Sequence, residues 1–322
     1  MGQWNETSPS EFILLGITTR PELQCFFSVL FFSTYLLTLL GNLLIVLLVY
    51  WDPSLFHTPM YFFLSNLSLA DIGFTSATIP KMLQTLLSES TAISYSGCFT
   101  QMYFFFAFAN TDNFLLASMA YDRYVAICHP LHYATLMNHK RCLLMAGIPW
   151  LVSIVLSLMY TVLASRLSFC VTREIPHFFC DIQPLMRISC SDTKLLQTLV
   201  MSEGLIDVSI PFLLIVISYV CIFYAVLRVP SAAGKLKAFS TCGSHLTVVI
   251  LFYSTLIWVY FQPPSRNAGR KDTVAAIMYT VVTPMLNPFI YTLRNNEIKG
   301  AVRRVMSRMK KTLSEAEGQM LH

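Results

Sequence analysis

Long apolar runs broken by short polar segments set the pattern of this chain. No charged residue occurs from Leu23 to Trp51, Leu143 to Ser165, Ala238 to Ser265 or Thr273 to Leu293. Each run exceeds the ~20 residues a helix needs to cross the hydrocarbon core of a bilayer. Three further runs qualify if a few ionisable residues are accepted inside them. Pro59 to Leu87 carries Asp71 and Lys81, Gly97 to Cys128 carries Asp112, Asp122 and Arg123, and Leu195 to Leu227 carries Glu203 and Asp207. Backbone groups in lipid must bond within their own segment, so these runs predict helices and not open strands. The expected fold is an all-α membrane protein, a seven-transmembrane helix bundle.

Composition supports lipid as the solvent. The chain has 322 residues, 55% hydrophobic and 12% charged, against ~25% charged in ordinary soluble domains. The expected organisation is a tail over 1–24, one helical domain over 25–293 and a final segment over 294–322. In that last segment Ile298, Ala301, Val302, Val305, Met306 and Met309 share one helical face, with Lys299, Arg303, Arg308 and Lys310 off it. This predicts a short amphipathic helix lying on the membrane surface.

An odd number of spans puts the termini on opposite sides. The bases Lys140, Arg141, Arg228, Lys235 and Lys237, with those after Leu293, favour a cytoplasmic C-terminus. Their excess is modest, and Asn5-Glu6-Thr7, a glycosylation acceptor in the tail, points the same way. The segment before Cys25 lacks a basic start and a short apolar core, so the first helix is expected to act as its own insertion signal. The net charge of +5 fits an anionic inner membrane surface and not nucleic acid.

Nine cysteines divide by compartment. Cys98, Cys170, Cys180 and Cys190 fall outside, where oxidation is expected and three pairings are open. Cys25, Cys128, Cys142, Cys221 and Cys242 are expected as thiols. His177, Cys180 and Asp181 offer a donor set for copper or zinc, but a disulfide would consume Cys180 first, so no metal is expected.

Five stretches carry a resemblance. Gly41-Asn42 lies in the first helix. Pro59-Met60-Tyr61-Phe62-Phe63-Leu64 leads into Leu67-Ser68-Leu69-Ala70-Asp71. Met119-Ala120-Tyr121-Asp122-Arg123-Tyr124-Val125-Ala126-Ile127-Cys128 ends the third. Lys237-Ala238-Phe239-Ser240-Thr241-Cys242-Gly243-Ser244-His245-Leu246 opens the sixth. Pro284-Met285-Leu286-Asn287-Pro288-Phe289-Ile290-Tyr291 lies in the seventh. Together, and in this order, they resemble the vertebrate odorant-receptor family, tetrapod-type class, of rhodopsin-like G-protein-coupled receptors. The likeness runs from Glu11 to about Lys311. One departure is Phe252-Tyr253-Ser254, where the family usually has Phe-Tyr-Gly; a serine there can bond back to a helix carbonyl.

The resemblance implies a switch. Arg123 pairs with Asp122 at rest, beside Tyr124, and is freed when the sixth helix swings out; Tyr219 and His245 are its neighbouring partners. Pro288 bends the seventh helix by removing a donor, and Asn287 and Tyr291 are expected to refill the freed bonds. Asp71, Asp112 and Asn287 are expected to form a buried cluster holding sodium or a proton, or else to serve as polar glue between helices. Cys98 is implied to pair with Cys180, and Cys170 with Cys190, holding the long loop as a lid.

The ligand is expected in the outer half of the bundle. Phe105, Phe106, Ala109 and Asn110 come from the third helix, and Tyr253, Leu256 and Tyr260 from the sixth. Ile277 and Thr280 come from the seventh. Glu203 and Asp207, four residues apart, share a face of the fifth. A mostly apolar cavity with few polar groups suits a small volatile organic molecule. By resemblance the partner is an olfactory Gs-type heterotrimeric G protein that raises cyclic AMP. A chemoreceptor for an internal metabolite shares these features. A transporter would show repeats and broken helices in both halves, and an enzyme would need a nucleophile–base pair; neither is found.

Overall fold

The computed structural model describes residues 10–307 except positions 19, 89, 171, 261–267, 295–296 and 306, and not the side chains at 203, 237–241, 259–260, 268–272 and 293–294. Asn5 and the side chains of Glu203 and Tyr260 therefore lie outside the described residues, as do Met306 and Met309.

Helices occupy the places the apolar runs predict. They are α1 (Pro21–Trp51), α2 (Pro59–Leu87), α3 (Tyr95–Cys128), α4 (His139–Ala164), α5 (Lys194–Leu227) and α6 (Ala232–Tyr260). A further helix, α7, runs from Ala268–Ile277 through a π-helical stretch, Met278–Val282, into Thr283–Arg294. Prolines at the first turns of α1 and α2 give up an N–H that would be unpaired anyway. Ser94 caps α3 by accepting from Gly97 N at 3.1 Å, and Asn138 caps α4 by accepting from Arg141 N at 3.0 Å.

Four described segments are long and apolar enough to cross a membrane: Pro21–Trp51, His139–Ala164, Lys194–Leu227 and Thr273–Thr292. Of the other expected spans, α2 and α3 are less apolar because they carry ionisable residues, and the described apolar part of α6, Cys242–Trp258, is shorter. Those residues are sheltered: Asp71, Asp112, Asp122 and Arg123 are all buried. α3 is the central strut and packs against α2, α4, α5 and α6. By contrast α1, α4 and α5 turn Phe26, Val29, Leu151, Val155, Leu205 and Ile217 outward, each more than half exposed. A continuous apolar sleeve of this kind is foreign to a water-soluble monomer and natural for lipid.

A small sheet was not expected. β1 (Glu11–Leu14) pairs antiparallel with β2 (Ala92–Ser94) and parallel with β3 (Glu174–Ile175). Phe12 and Leu14, on the buried face of β1, are fully buried among Tyr95, Phe99 and Phe169. Part of the expected tail is thus a packed strand. It lies beyond the helix ends, so the lipid argument against open strands does not reach it.

The proline of α7 brings a correction. Pro288 has no N–H, so the Pro284 carbonyl one turn earlier lacks its helical donor. Neither Asn287 nor Tyr291 refills it. Asn287 points its amide at Asp71, and the buried Tyr291 hydroxyl has no hydrogen-bond partner among the described residues. The donor is Asn42 of α1, whose Nδ2 reaches Pro284 O at 3.3 Å and Thr38 O at 3.1 Å. Gly41 makes this approach possible: a Cβ there would sit 2.9 Å from Pro288 Cγ. Ser254 behaves as expected, donating back to Leu251 O at 3.0 Å from an exposed site.

Candidate functional site

One end of the bundle is closed by the segment between α4 and α5. Disulfides join Cys98 to Cys180 (Cα–Cα 5.4 Å) and Cys170 to Cys190 (5.9 Å). This is the pairing the resemblance implies. Because Cys180 is bonded to carbon-borne sulfur, it has no thiolate for a metal; no metal-holding group of His, Cys, Asp and Glu occurs among the described residues. Cys180 N donates to Gln101 Oε1 at 2.9 Å, fixing the loop to α3 a second time.

The tethered loop inserts Phe178 and Phe179, which are 1% and 3% exposed. Phe179 lies 4.8 Å from Phe105, ring centre to ring centre, and Ala109, Ile277 and Tyr279 join the same cluster. The His177 ring stacks on Phe178, and burial among these rings lowers its pKa to about 4. Asp181 next to it is raised to about 6 by burial, against the opposing bond from Ile182 N.

The described members of the expected ligand set fall in more than one packing cluster. Phe105, Ala109 and Ile277 pack under the loop, while Phe106 leans toward Tyr160. Tyr253 and Leu256 belong to a separate cluster nearer the middle of the bundle. Thr280 is buried and spends its hydroxyl on Ala276 O at 2.7 Å. Asn110 is half-buried on α3, and Asp207 is half-buried on α5.

Asn113, which the sequence reading passed over, ties three helices together. Its Nδ2 donates to the backbone carbonyl of Asp207 on α5 at 2.5 Å, and its Oδ1 accepts from Tyr253 Oη on α6 at 2.6 Å. An amide in an apolar span was the available signal, since polar side chains there bond across helices.

Below this tie lies a cavity of about 10 Å³ lined by Asp71, Asp112 and Asn287 with Leu116, Phe252 and Tyr279. That is room for one water-sized body. Asn287 Nδ2 donates to both carboxylate oxygens of Asp71, at 3.2 and 2.9 Å. Asp112 Oδ1 and Asn287 Oδ1 are buried acceptors with no hydrogen-bond partner among the described residues. Two close carboxyls and two unmatched oxygens fit a proton or a small cation and nothing larger.

The opposite end holds the arginine. Arg123 Nε donates to Asp122 Oδ2 at 3.0 Å, and Tyr133 Oη donates to Asp122 Oδ1 at 2.7 Å. Both members of the ion pair are buried. Tyr124 and Tyr219 pack on a shared patch of Ile222, Val226 and Cys242. His245 Nε2 lies 3.1 Å from Leu116 O. A carbonyl only accepts, so Nε2 carries the proton and Nδ1 of the neutral ring accepts from Tyr219 Oη at 2.7 Å. His245 thus joins α6 to both α3 and α5.

The segment after α7 is helical over 297–305, with Ile298 and Ala301 buried and Lys299 and Arg303 exposed. Tyr61 Oη donates to Glu297 Oε2 at 2.7 Å, and Arg304 Nε to Asp52 Oδ2 at 2.9 Å. Hydrogen bonds from Ser54, helped by Arg304, hold the Asp52 carboxyl below its usual range against the opposing effect of burial.

Comparison with known proteins agrees with this arrangement. A family model described as olfactory receptor matches residues 31–309. Olfactory receptor 1J1 of Homo sapiens is 52% identical over 96% of this chain and 95% of its own length. Olfactory receptor 1F1 of Homo sapiens is 54% identical over 96% and 99%, and olfactory receptor 1f45 of Rattus norvegicus 53% over 95% and 98%. With the family matched across most of its length and relatives aligned nearly end to end, this chain belongs to the olfactory receptor family of G-protein-coupled receptors and is not an enzyme.

Proposed function

We propose that the chain is a seven-transmembrane odorant receptor of the plasma membrane, with the N-terminus and disulfides outside and the Arg123 end in the cytoplasm. A small volatile molecule binds in the outer half, among the residues expected from sequence, and the receptor then activates a Gs-type heterotrimeric G protein that raises cyclic AMP. The observation that carries this reading is the continuity between the two ends. The aromatic cluster under the loop, the Asn113–Tyr253 bond, the Asp71–Asn287 pair and the Tyr219–His245 pair follow one another down the bundle.

Chemically, the ligand has to work against packing. Phe105, Phe178 and Phe179 already fill one another, so an odorant gains by replacing ring contacts and shifting α6 through Tyr253. A ligand of about ten heavy atoms at ~0.3–1 kcal/mol each gains roughly 3–10 kcal/mol, which gives broad, micromolar-range tuning. The Asp71–Asp112–Asn287 cavity holds sodium or a proton at rest. The two carboxyls and the Asn287 oxygen would hold that charge, which neutralises repulsion between them.

The test is a panel of volatiles screened by cyclic AMP on wild type, Glu203→Gln, Tyr260→Ala and Arg123→Gln, each scaled to surface delivery. The first two variants should alter responses ligand by ligand, and Arg123→Gln should silence all of them. Odorant responses that survive Arg123→Gln, or that persist without the G protein, would overturn the reading.

A further inference from the structure

A second cavity, about 270 Å³, opens on the side of the bundle at the arginine end. Tyr121, Tyr124, Val125, His129, His132 and Leu136 line it, and none of its lining residues is acidic. It lies outside the Asp122–Arg123 pair, which is buried. Its floor is aromatic and aliphatic, from α3; its rim is the turn Pro130–His132 and the short helix Tyr133–Leu136. The volume falls at or below the small end of sites for small organic molecules. It suits a headgroup better than a whole drug-sized molecule.

Hydrogen-bond donors converge on one side. His129 Nε2 lies 2.9 Å from Tyr124 Oη. When Tyr124 donates, the neutral ring keeps its proton on Nδ1 as a free-standing donor. His132 adds a second imidazole on the same rim. Arg141 Nη1 donates to Leu136 O at 3.2 Å, which brings a guanidinium to the rim as well. Beside the cavity Leu131 is 94% exposed, and Tyr121 on its floor is 40% exposed. An apolar side chain held that far out lies open to acyl chains while no G protein is docked at this end.

We propose that this groove seats the phosphate headgroup of an anionic phospholipid of the inner leaflet. The phosphate accepts from His129, His132 and Arg141, and the acyl chains run past Leu131 and Tyr121 onto the apolar sleeve. The bound lipid then buttresses the loop whose Tyr133 holds Asp122, so lipid charge reaches the arginine switch. The assignment rests on the Arg123 end being cytoplasmic, as proposed above.

The experiment uses the full chain in phosphatidylcholine nanodiscs carrying a photoreactive phosphatidylserine probe, with adducts mapped by peptide mass spectrometry. Adducts are expected on the peptide spanning Tyr121 to Leu136, and unlabelled phosphatidylserine should compete them away. Arg141→Gln should cut labelling about fivefold, His132→Leu should lower it by removing a ring donor, and Lys299→Gln, away from the groove, should do neither. Leu136→Trp, which fills the cavity but keeps every donor, should also block labelling. Equal labelling by a phosphatidylcholine probe would show mere lipid contact and refute the assignment. Competition by millimolar inorganic phosphate alone would reassign the groove to a free anion. Nanodiscs offer the same lipid to both faces, so this result is independent of orientation. Orientation is read separately, from a C-terminal tag that antibody reaches only after permeabilisation.

Discussion

Asn42→Ala tests the correction at Pro288. The substitution removes the donor to Pro284 O, a carbonyl that its own helix cannot satisfy. An interhelical hydrogen bond in a membrane protein contributes about 0.6 kcal/mol on average. A buried carbonyl left without a donor costs a further ~1–3 kcal/mol. One term opposes these: Asn42 Oδ1 is itself buried and without a partner among the described residues, and the substitution removes it. A net loss of about 2 kcal/mol follows, or on the order of 5 °C in the melting temperature of purified receptor. The decisive measurement is the double-mutant cycle with Pro288→Ala. An alanine supplies an amide that can close the helical bond to Pro284 O, so the carbonyl no longer needs Asn42. The Oδ1 term is common to both backgrounds and cancels. Asn42→Ala should therefore cost about 1 kcal/mol less, or better, when Pro288→Ala is present. Equal losses in the two backgrounds would refute the assignment of Asn42 as the substitute donor.

Further outcomes follow from the same geometry. Tyr253→Phe removes the bond from α6 to Asn113 and should raise ligand-free G-protein activation about threefold, the factor for ~0.6 kcal/mol, read as basal signal per receptor at the surface; an unchanged basal level would show that the bond does not restrain α6. Opening the Cys170–Cys190 bridge by paired serine substitution should destabilise the receptor by ~2–4 kcal/mol, seen as a lower melting temperature. The loop has a pH signature of two opposed parts. His177, lowered to about 4, contributes stability above its unfolded value of 6.5 that is lost as pH falls toward 4. Asp181, raised to about 6, does the reverse: its contribution is present below 3.8 and lost as pH rises through 6. Protection factors over 174–190, with exchange corrected for the intrinsic pH dependence of amides, should thus change little between pH 6.5 and 4 in wild type and fall steadily on acidification in Asp181→Asn.

The helices were legible because lipid imposes a coarse requirement, an unbroken apolar run, which a sequence displays directly. Contacts between runs were less so. The strand at Glu11–Leu14 shows the alternation of a half-buried strand, yet four residues are too few to read without the partners near positions 93 and 174. The π-helical stretch Met278–Val282 has no compositional mark. Asp71 and Asn287 meet as expected, and so do Tyr219 and His245, since motif positions fix them. The donor for Pro284 was misjudged because proximity along the chain favoured Asn287 and Tyr291. The actual donor stands 242 positions away in sequence. Asn113 was overlooked because its neighbour Asp112 drew the attention a charge in lipid commands.

The Tyr61–Glu297 and Asp52–Arg304 bonds divide the bundle into unequal halves. They rivet α1, α2 and the segment after α7 together, and Asn42 adds a third rivet higher up. α5 packs along α3, whereas α6 packs more sparsely and holds to α3, α5 and α7 through single side chains such as His245 and Ser244. Any opening movement therefore has a fixed jamb and a swinging door, and the door is the helix that carries His245.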